Sequence, residues 1–204
     1  MKKNIRFVLV IALLSIMGCS VETQTTSHSE QQGLPDAKVR EFKTKTGKTV
    51  TITESHPAGM SLSNIEVITK DFEQNLQELF EDKDPISEVL VADLDGNGFD
   101  EIYIITTGAG SGSYGNILGF ASNSDKSLSM IHFVPVEEGN DIFEGYMGHD
   151  SFQIESQKLL RTFPVYKPSD TNQKATGGTR RIFYSLKPGE AMWQLGIEST
   201  EKTN

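Results

Sequence analysis

Two apolar runs, Ile86–Ala92 and Glu101–Thr107, stand on either side of one short acidic turn, Asp93-Leu94-Asp95-Gly96-Asn97-Gly98-Phe99-Asp100. A connection of this length joins antiparallel neighbours, because a parallel pair needs a crossover of a dozen residues or more. The rest of the chain has the same rhythm. Residues 37–54 alternate apolar or threonine positions around Lys45-Thr46-Gly47-Lys48, which reads as a hairpin turn. Residues 64–69, 115–122, 128–134, 152–154, 159–166, 181–186 and 191–195 are further β-rich runs separated by turn residues. Phe72, Leu76, Leu79 and Phe80 fall at helical spacing but without a strong cap, so that segment stays open between helix and edge strand. The spacing predicts an all-β domain with at most a short helix: a flattened antiparallel sandwich or barrel of about eight or more strands. Trp193, the single tryptophan, is expected to close the core from the last strand.

The amino terminus follows other rules. Lys2, Lys3 and Arg6 precede an apolar run, residues 7–14, that is too short for a finished membrane span, so residues 1–18 read as an export signal. It ends in Ile16-Met17-Gly18-Cys19, which resembles the bacterial lipobox; the resemblance implies a diacylglycerol on Cys19 and anchorage to a membrane. Ser20 stands where aspartate would favour inner-membrane retention, so the expected location is the Gram-negative outer membrane, facing the periplasm. Cys19 is the only cysteine, and an internal disulfide is therefore excluded. Residues 19–36, rich in Ser, Thr and Gln, read as the lipidated cysteine and a flexible tether. Residues 37–200 are then enough for one compact domain. Loss of the signal takes the net charge from −9 to −12, since Lys2, Lys3 and Arg6 leave and no acidic residue does. That charge argues against nucleic acid as a partner and suits a cationic protein. A homodimer is neither required nor excluded.

Three candidate sites remain. In the acidic turn, Asp93, Asp95 and Asn97 occupy alternate positions of a calcium loop, Gly98 supplies the bend, Phe99 could offer its carbonyl, and Glu101 follows two residues later. The glutamate of an EF-hand is missing, because Ile104 stands in its place, and the loop leads into a strand. A metal-free β-turn with carboxylates on backbone N–H groups is the other reading. A structural calcium is thus the one cofactor the residues suggest, and none is required. Gly110-Ser111-Gly112-Ser113-Tyr114-Gly115 matches a dinucleotide loop in form, yet the β-rich segment after it offers no helix N-terminus for pyrophosphate. No GxSxG elbow and no HExxH occur, so no catalytic residue is assigned and a binding protein is expected instead of an enzyme. The third candidate is the loop itself as a binding finger, with small residues, hydroxyl donors at Ser111 and Ser113, and a rigid aromatic anchor at Tyr114; a solvated hairpin loop with Tyr114 folded back on the sheet is the other reading.

The stretch DLDGNGFDEIYIITTGAGSGSYGNILGFASNSDKS resembles the periplasmic inhibitors of invertebrate-type (i-type) lysozyme. So do GHDSF at 148–152, LLRTFPVYK at 159–167, TGGTRRIFY at 176–184 and GEAMWQL at 189–195, and the likeness covers most of residues 37–195. The resemblance implies an antiparallel β fold and a protruding S-G-x-Y loop that enters the lysozyme cleft. In this sequence that pattern falls on Ser111, Gly112, Ser113 and Tyr114. The implied partner is an i-type lysozyme, and the implied role is protection of peptidoglycan. The lipobox departs from the soluble members of the family. Residues 166–180 are a candidate second contact loop. The alternative reading, from the acidic turn, is a calcium-stabilised envelope module that binds a glycan or protein.

Overall fold

The computed structural model describes residues 36–134, 136 and 140–203. The export signal, Cys19 and the tether up to residue 35 lie outside the described residues. The described residues form an all-β structure whose strands are arranged as two sheets. The first is a four-stranded antiparallel meander of β1 (Ala37–Lys43), β2 (Thr49–Ser55), β3 (Ser63–Lys70) and β4 (Gln77–Lys83). The second has eight strands: β5 (Ile86–Ala92), β6 (Glu101–Thr107), β7 (Gly115–Ser122), β8 (Leu128–Phe133), β9 (Ser151–Glu155), β10 (Lys158–Pro164), β11 (Thr179–Pro188) and β12 (Trp193–Thr203). Its spatial order is β5-β6-β7-β8-β12-β11-β10-β9, and the edge strands β5 and β9 approach one another, so the sheet is nearly closed. Among the described residues, one 3₁₀ turn, Asp141–Phe143, is the only helical element.

The expected all-β fold is the observed one, with a refinement in topology. Every pairing is antiparallel except β12 with β8, where Trp193, Gln194 and Leu195 run parallel to Ile131, His132 and Phe133. The chain reaches β9, β10 and β11 before returning to β8, and that long excursion permits a parallel contact.

Hydrophobic periodicity explains the layering. In β2 and β3 the buried residues alternate, with Val50, Ile52, Ile65 and Val67 on one face and Thr51, Thr53 and Glu66 on the other. That inner face covers the outer face of β5 to β8. Together they enclose a core containing Ile86, Ile102, Ile104, Phe120 and Leu128. The opposite face of β6 and β7 turns Tyr103, Ile105, Ile117 and Ala121 into a second core inside the eight-stranded sheet, with Leu159, Phe163, Ile182, Tyr184 and Leu195. β6 therefore separates the two cores and is buried from Glu101 to Thr106. Its sequence is continuous in apolar residues because both of its faces are covered.

Two polar ties join the sheets. The buried Glu54 carboxylate accepts the Ile86 N–H at 2.6 Å and pairs with Arg40 at 3.1 Å. At the hairpin between β1 and β2, the Lys45 N–H donates to the Asp100 carboxylate at 2.6 Å. The 72–80 segment resolves into a turn followed by β4. Phe72 drops into the core, Asn75 caps it through the Phe72 N–H at 3.2 Å, and Leu79 faces outward while Phe80 faces inward. Trp193 begins β12 half-buried against the inner core, its indole N–H donating to Asn123 at 3.4 Å.

Ile104 is fully buried between the sheets. Ile104→Ala is expected to cost about 2–5 kcal/mol in urea unfolding. Val39→Ala, at an exposed position of β1, is expected to change stability by less than about 0.5 kcal/mol.

Candidate functional site

β6 ends at Thr107, and residues 108–114 form a tight loop into β7. The Gly108 N–H donates to the Tyr114 carbonyl and the Ser113 N–H to the Gly110 carbonyl, each at 3.0 Å. Ser113 takes a φ of +43°, which turns the chain back towards β7. Its hydroxyl faces the Gly110 carbonyl at 3.5 Å, so Ser111 carries the more exposed hydroxyl. Tyr114 is half-exposed at the rim, with 53% of its surface accessible. Gly112, by contrast, is buried. The Tyr114 ring lies directly over it, and a Cβ at Gly112 would collide with that ring.

Neighbouring loops hold this backbone from below. The His149 N–H donates to the Gly112 carbonyl at 2.6 Å. Gly148, with a φ of +85°, packs so closely on the same carbonyl that any side chain there would strike it. The Asn172 side-chain amide reaches the Ser111 carbonyl at 3.3 Å, which brings one residue of the 166–180 segment to the loop. Finally, the Gly115 N–H donates to Asp150 at 2.7 Å.

Asp150 is the hub of the support. The Tyr146 hydroxyl donates to the same oxygen at 2.6 Å, and the other oxygen accepts from Arg161 Nε at 2.7 Å. Arg161 Nη2 in turn donates to the Tyr146 oxygen at 2.7 Å. Both charged side chains are out of solvent, at 1% and 0% exposure. Burial works against the guanidinium's charge, but the Asp150 carboxylate beside it raises its pKa. Burial, then the bond to Asp150, push the Tyr146 hydroxyl above the ordinary phenol range. Aromatic rings of Phe133, Phe143, Tyr146, Phe152 and Phe163 surround the guanidinium with centroids 5.0 to 5.8 Å away, so cation–π attraction replaces part of its lost hydration. The Tyr146 ring then meets Tyr114 edge to face at 5.6 Å. A chain of contacts thus runs from a buried ion pair to the exposed anchor.

Beside Tyr114 opens a cleft of about 750 Å³, floored by Tyr146 and Arg161 and rimmed by Asp84, Asp141 and Glu144. The rim is acidic. β7 begins directly at Gly115 as a strand, so no helix N-terminus follows the glycine run.

The acidic turn lies at the opposite end of β6. Asp93 accepts the Asn97 and Gly98 N–H groups at 3.0 Å, Asp95 also accepts from Asn97, and Asn97 Oδ1 accepts the Phe99 N–H at 2.8 Å. Lys45 Nζ sits on Asp93 at 2.5 Å; this bond raises the lysine pKa and, against burial, holds the Asp93 carboxyl below the usual range. Glu101 is buried, with one oxygen accepting the Leu94 N–H at 2.7 Å. Burial pushes its carboxyl up to about 8, reinforced by the charges of Asp95, Asp93 and Asp100.

The support was the part of the site that sequence did not disclose. Arg161 interrupts an apolar run and His149-Asp150 follows a glycine, both visible signals, but nothing in the spacing says that they pair. No protein-family model, curated protein or solved structure matches the chain.

Arg161→Met leaves Asp150 buried without its counter-charge and is expected to cost about 3–5 kcal/mol in urea unfolding. Asp150→Asn combined with Arg161→Met should regain part of that loss. A cost below about 1 kcal/mol for the single variant would show that the pair does not anchor the loop.

Proposed function

We propose that the chain is an inhibitor of i-type lysozyme that occupies the enzyme's cleft with the 111–114 ridge. The observation that carries this reading is the union of exposure above and fixation below. Ser111 and Tyr114 are exposed, while the backbone beneath them is tied at Ser111, Gly112 and Gly115. A loop fixed before binding loses little conformational entropy on association. Two residues of the support lie in segments that resemble the inhibitors, Asp150 in GHDSF and Arg161 in LLRTFPVYK.

The chemistry follows from the target. Lysozyme cleaves glycans with a pair of carboxyl groups in a cleft. The Ser111 hydroxyl can donate to one of them, and a hydrogen bond to a charged group is among the stronger kinds. Tyr114 fills the adjacent wall as a large, rigid, amphipathic contact. Gly112 acts from below, letting the tyrosine ring lie flat on the backbone. The acidic rim of Asp84, Asp141 and Glu144 favours encounter with a cationic enzyme. Inhibition is by occupancy and requires no chemical step in this protein. With a lipid on Cys19, the inhibitor would be held at the envelope, where the peptidoglycan it protects lies.

Titration of i-type, chicken-type and goose-type lysozymes tests the reading, with wild-type protein and two variants compared by residual glycan hydrolysis. Tyr114→Ala is expected to weaken inhibition of the i-type enzyme by roughly 30-fold or more. Ser111→Ala should weaken it by roughly tenfold. Neither change should lower Tm substantially, since both side chains are exposed. If no lysozyme is inhibited, or if both variants inhibit like wild type, the proposal fails.

A further inference from the structure

The turn between β5 and β6 has features that the inhibitory reading leaves unused. One oxygen from each of Asp93, Asp95 and Glu101 lies within 4.8 Å of the other two. Oxygen ligands of one calcium ion sit about 2.3–2.6 Å from it, so two ligands on opposite sides are separated by about 5 Å. The three carboxyl groups are therefore close enough to share a single ion without rearrangement of the backbone.

Proximity of acids is not by itself a site, and the turn already satisfies many of its own N–H groups. Glu101 supplies the independent observation. It is 1% exposed, its Oε2 is committed to the Leu94 N–H, and its Oε1 is buried with no hydrogen-bond partner. The Tyr103 hydroxyl lies within hydrogen-bonding influence of Glu101, yet it too is left without a bond of proper geometry. An unpartnered carboxyl oxygen in the interior is costly. A cation held between Glu101, Asp93 and Asp95 would give that oxygen its partner.

Among the described residues, the one basic group at the turn is Lys45, whose ammonium rests on Asp93 Oδ2 from an exposed position. It engages one oxygen of Asp93 and makes no hydrogen bond to Glu101. Its side chain is 43% exposed and free to swing into solvent when a stronger cation arrives.

We infer that the 93–101 turn binds one calcium ion through the carboxylates of Asp93, Asp95 and Glu101. Oxygen-only ligands without histidine or cysteine select a hard cation. The irregular turn, with the Asn97 and Phe99 carbonyls as further oxygens in the same segment, suits calcium better than the strict octahedron of magnesium. Lys45 then acts as a built-in competitor that neutralises Asp93 when calcium is scarce. The inference is independent of the lysozyme reading, and no lysozyme enters its test.

Protein stripped with chelator is titrated with calcium chloride by isothermal titration calorimetry, and its Tm is followed in calcium and in magnesium. Expected are one ion per chain, a Kd within roughly the 10⁻⁷ to 10⁻³ M range of protein sites, and a Tm that rises with calcium concentration. Asp95→Asn changes an exposed side chain, so the fold should persist while calcium affinity falls by at least tenfold. Glu101→Gln should do the same, and Lys45→Met should tighten binding. Absence of both heat and Tm shift at 10-millimolar calcium overturns the inference. So does unchanged affinity in both carboxylate variants, or equal affinity for magnesium.

Discussion

Burial of β6 on both faces is the constraint from which the rest of the structure follows. Six consecutive residues, Glu101 to Thr106, are buried, with Ile102 and Ile104 in the core between the sheets and Tyr103 and Ile105 in the core inside the second sheet. A one-residue slip in the register of such a strand would exchange its two faces, putting Tyr103 where Ile102 belongs and disturbing both cores together. The strand is therefore fixed along its length. Whatever stands at either end is held in a defined position relative to the sheets, and both candidate sites stand there.

A fixed strand end does not by itself shape the loop that follows it. That task falls to Asp150 and Arg161. A buried ion pair adds little net stability, because the cost of removing two charges from water is comparable to their attraction. What it provides here is position. Asp150 takes the Gly115 N–H, the Tyr146 hydroxyl and Arg161 Nε, leaving few alternatives for the chain around it. The Tyr146 and Tyr114 rings then meet edge to face, and the adjoining His149 N–H holds Gly112. Burial thus acts on a surface side chain through a short series of polar and aromatic contacts.

The sequence discloses these parts unequally, for physical reasons. The runs that became β5, β6 and β7 are legible because they combine apolar content with turn residues at both ends. β12 is only half legible. Its first residues carry Trp193 and Leu195, but residues 198–203 are polar and exposed, and the backbone ladder with β11 extends the strand regardless of side chain. The 72–80 segment misleads in the other direction. Phe72, Leu76 and Phe80 all pack on the core, yet a turn and a strand bring them there, so helical spacing arises without a helix. At the site, the exposed Ser111 and Tyr114 could be marked from residue type and resemblance. Asp150 and Arg161 could not be joined, because a polar pair eleven residues apart leaves no periodic trace.

The two ends of β6 are also far enough apart to be considered separately. Seven residues of strand span roughly 23 Å, beyond a Debye length at physiological salt, so charge at the acidic turn has little direct influence on the 111–114 ridge. Mechanical coupling through the strand would require β6 to shift, and its two buried faces oppose that. A cation at Asp93, Asp95 and Glu101 would consequently act on the stability of the fold, securing the turn on which the β1–β2 hairpin rests through the bond from the Lys45 N–H to Asp100. Recognition at the far end would then depend on Ser111, Tyr114 and the Asp150–Arg161 support. The same strand that makes each end rigid also keeps the two from communicating.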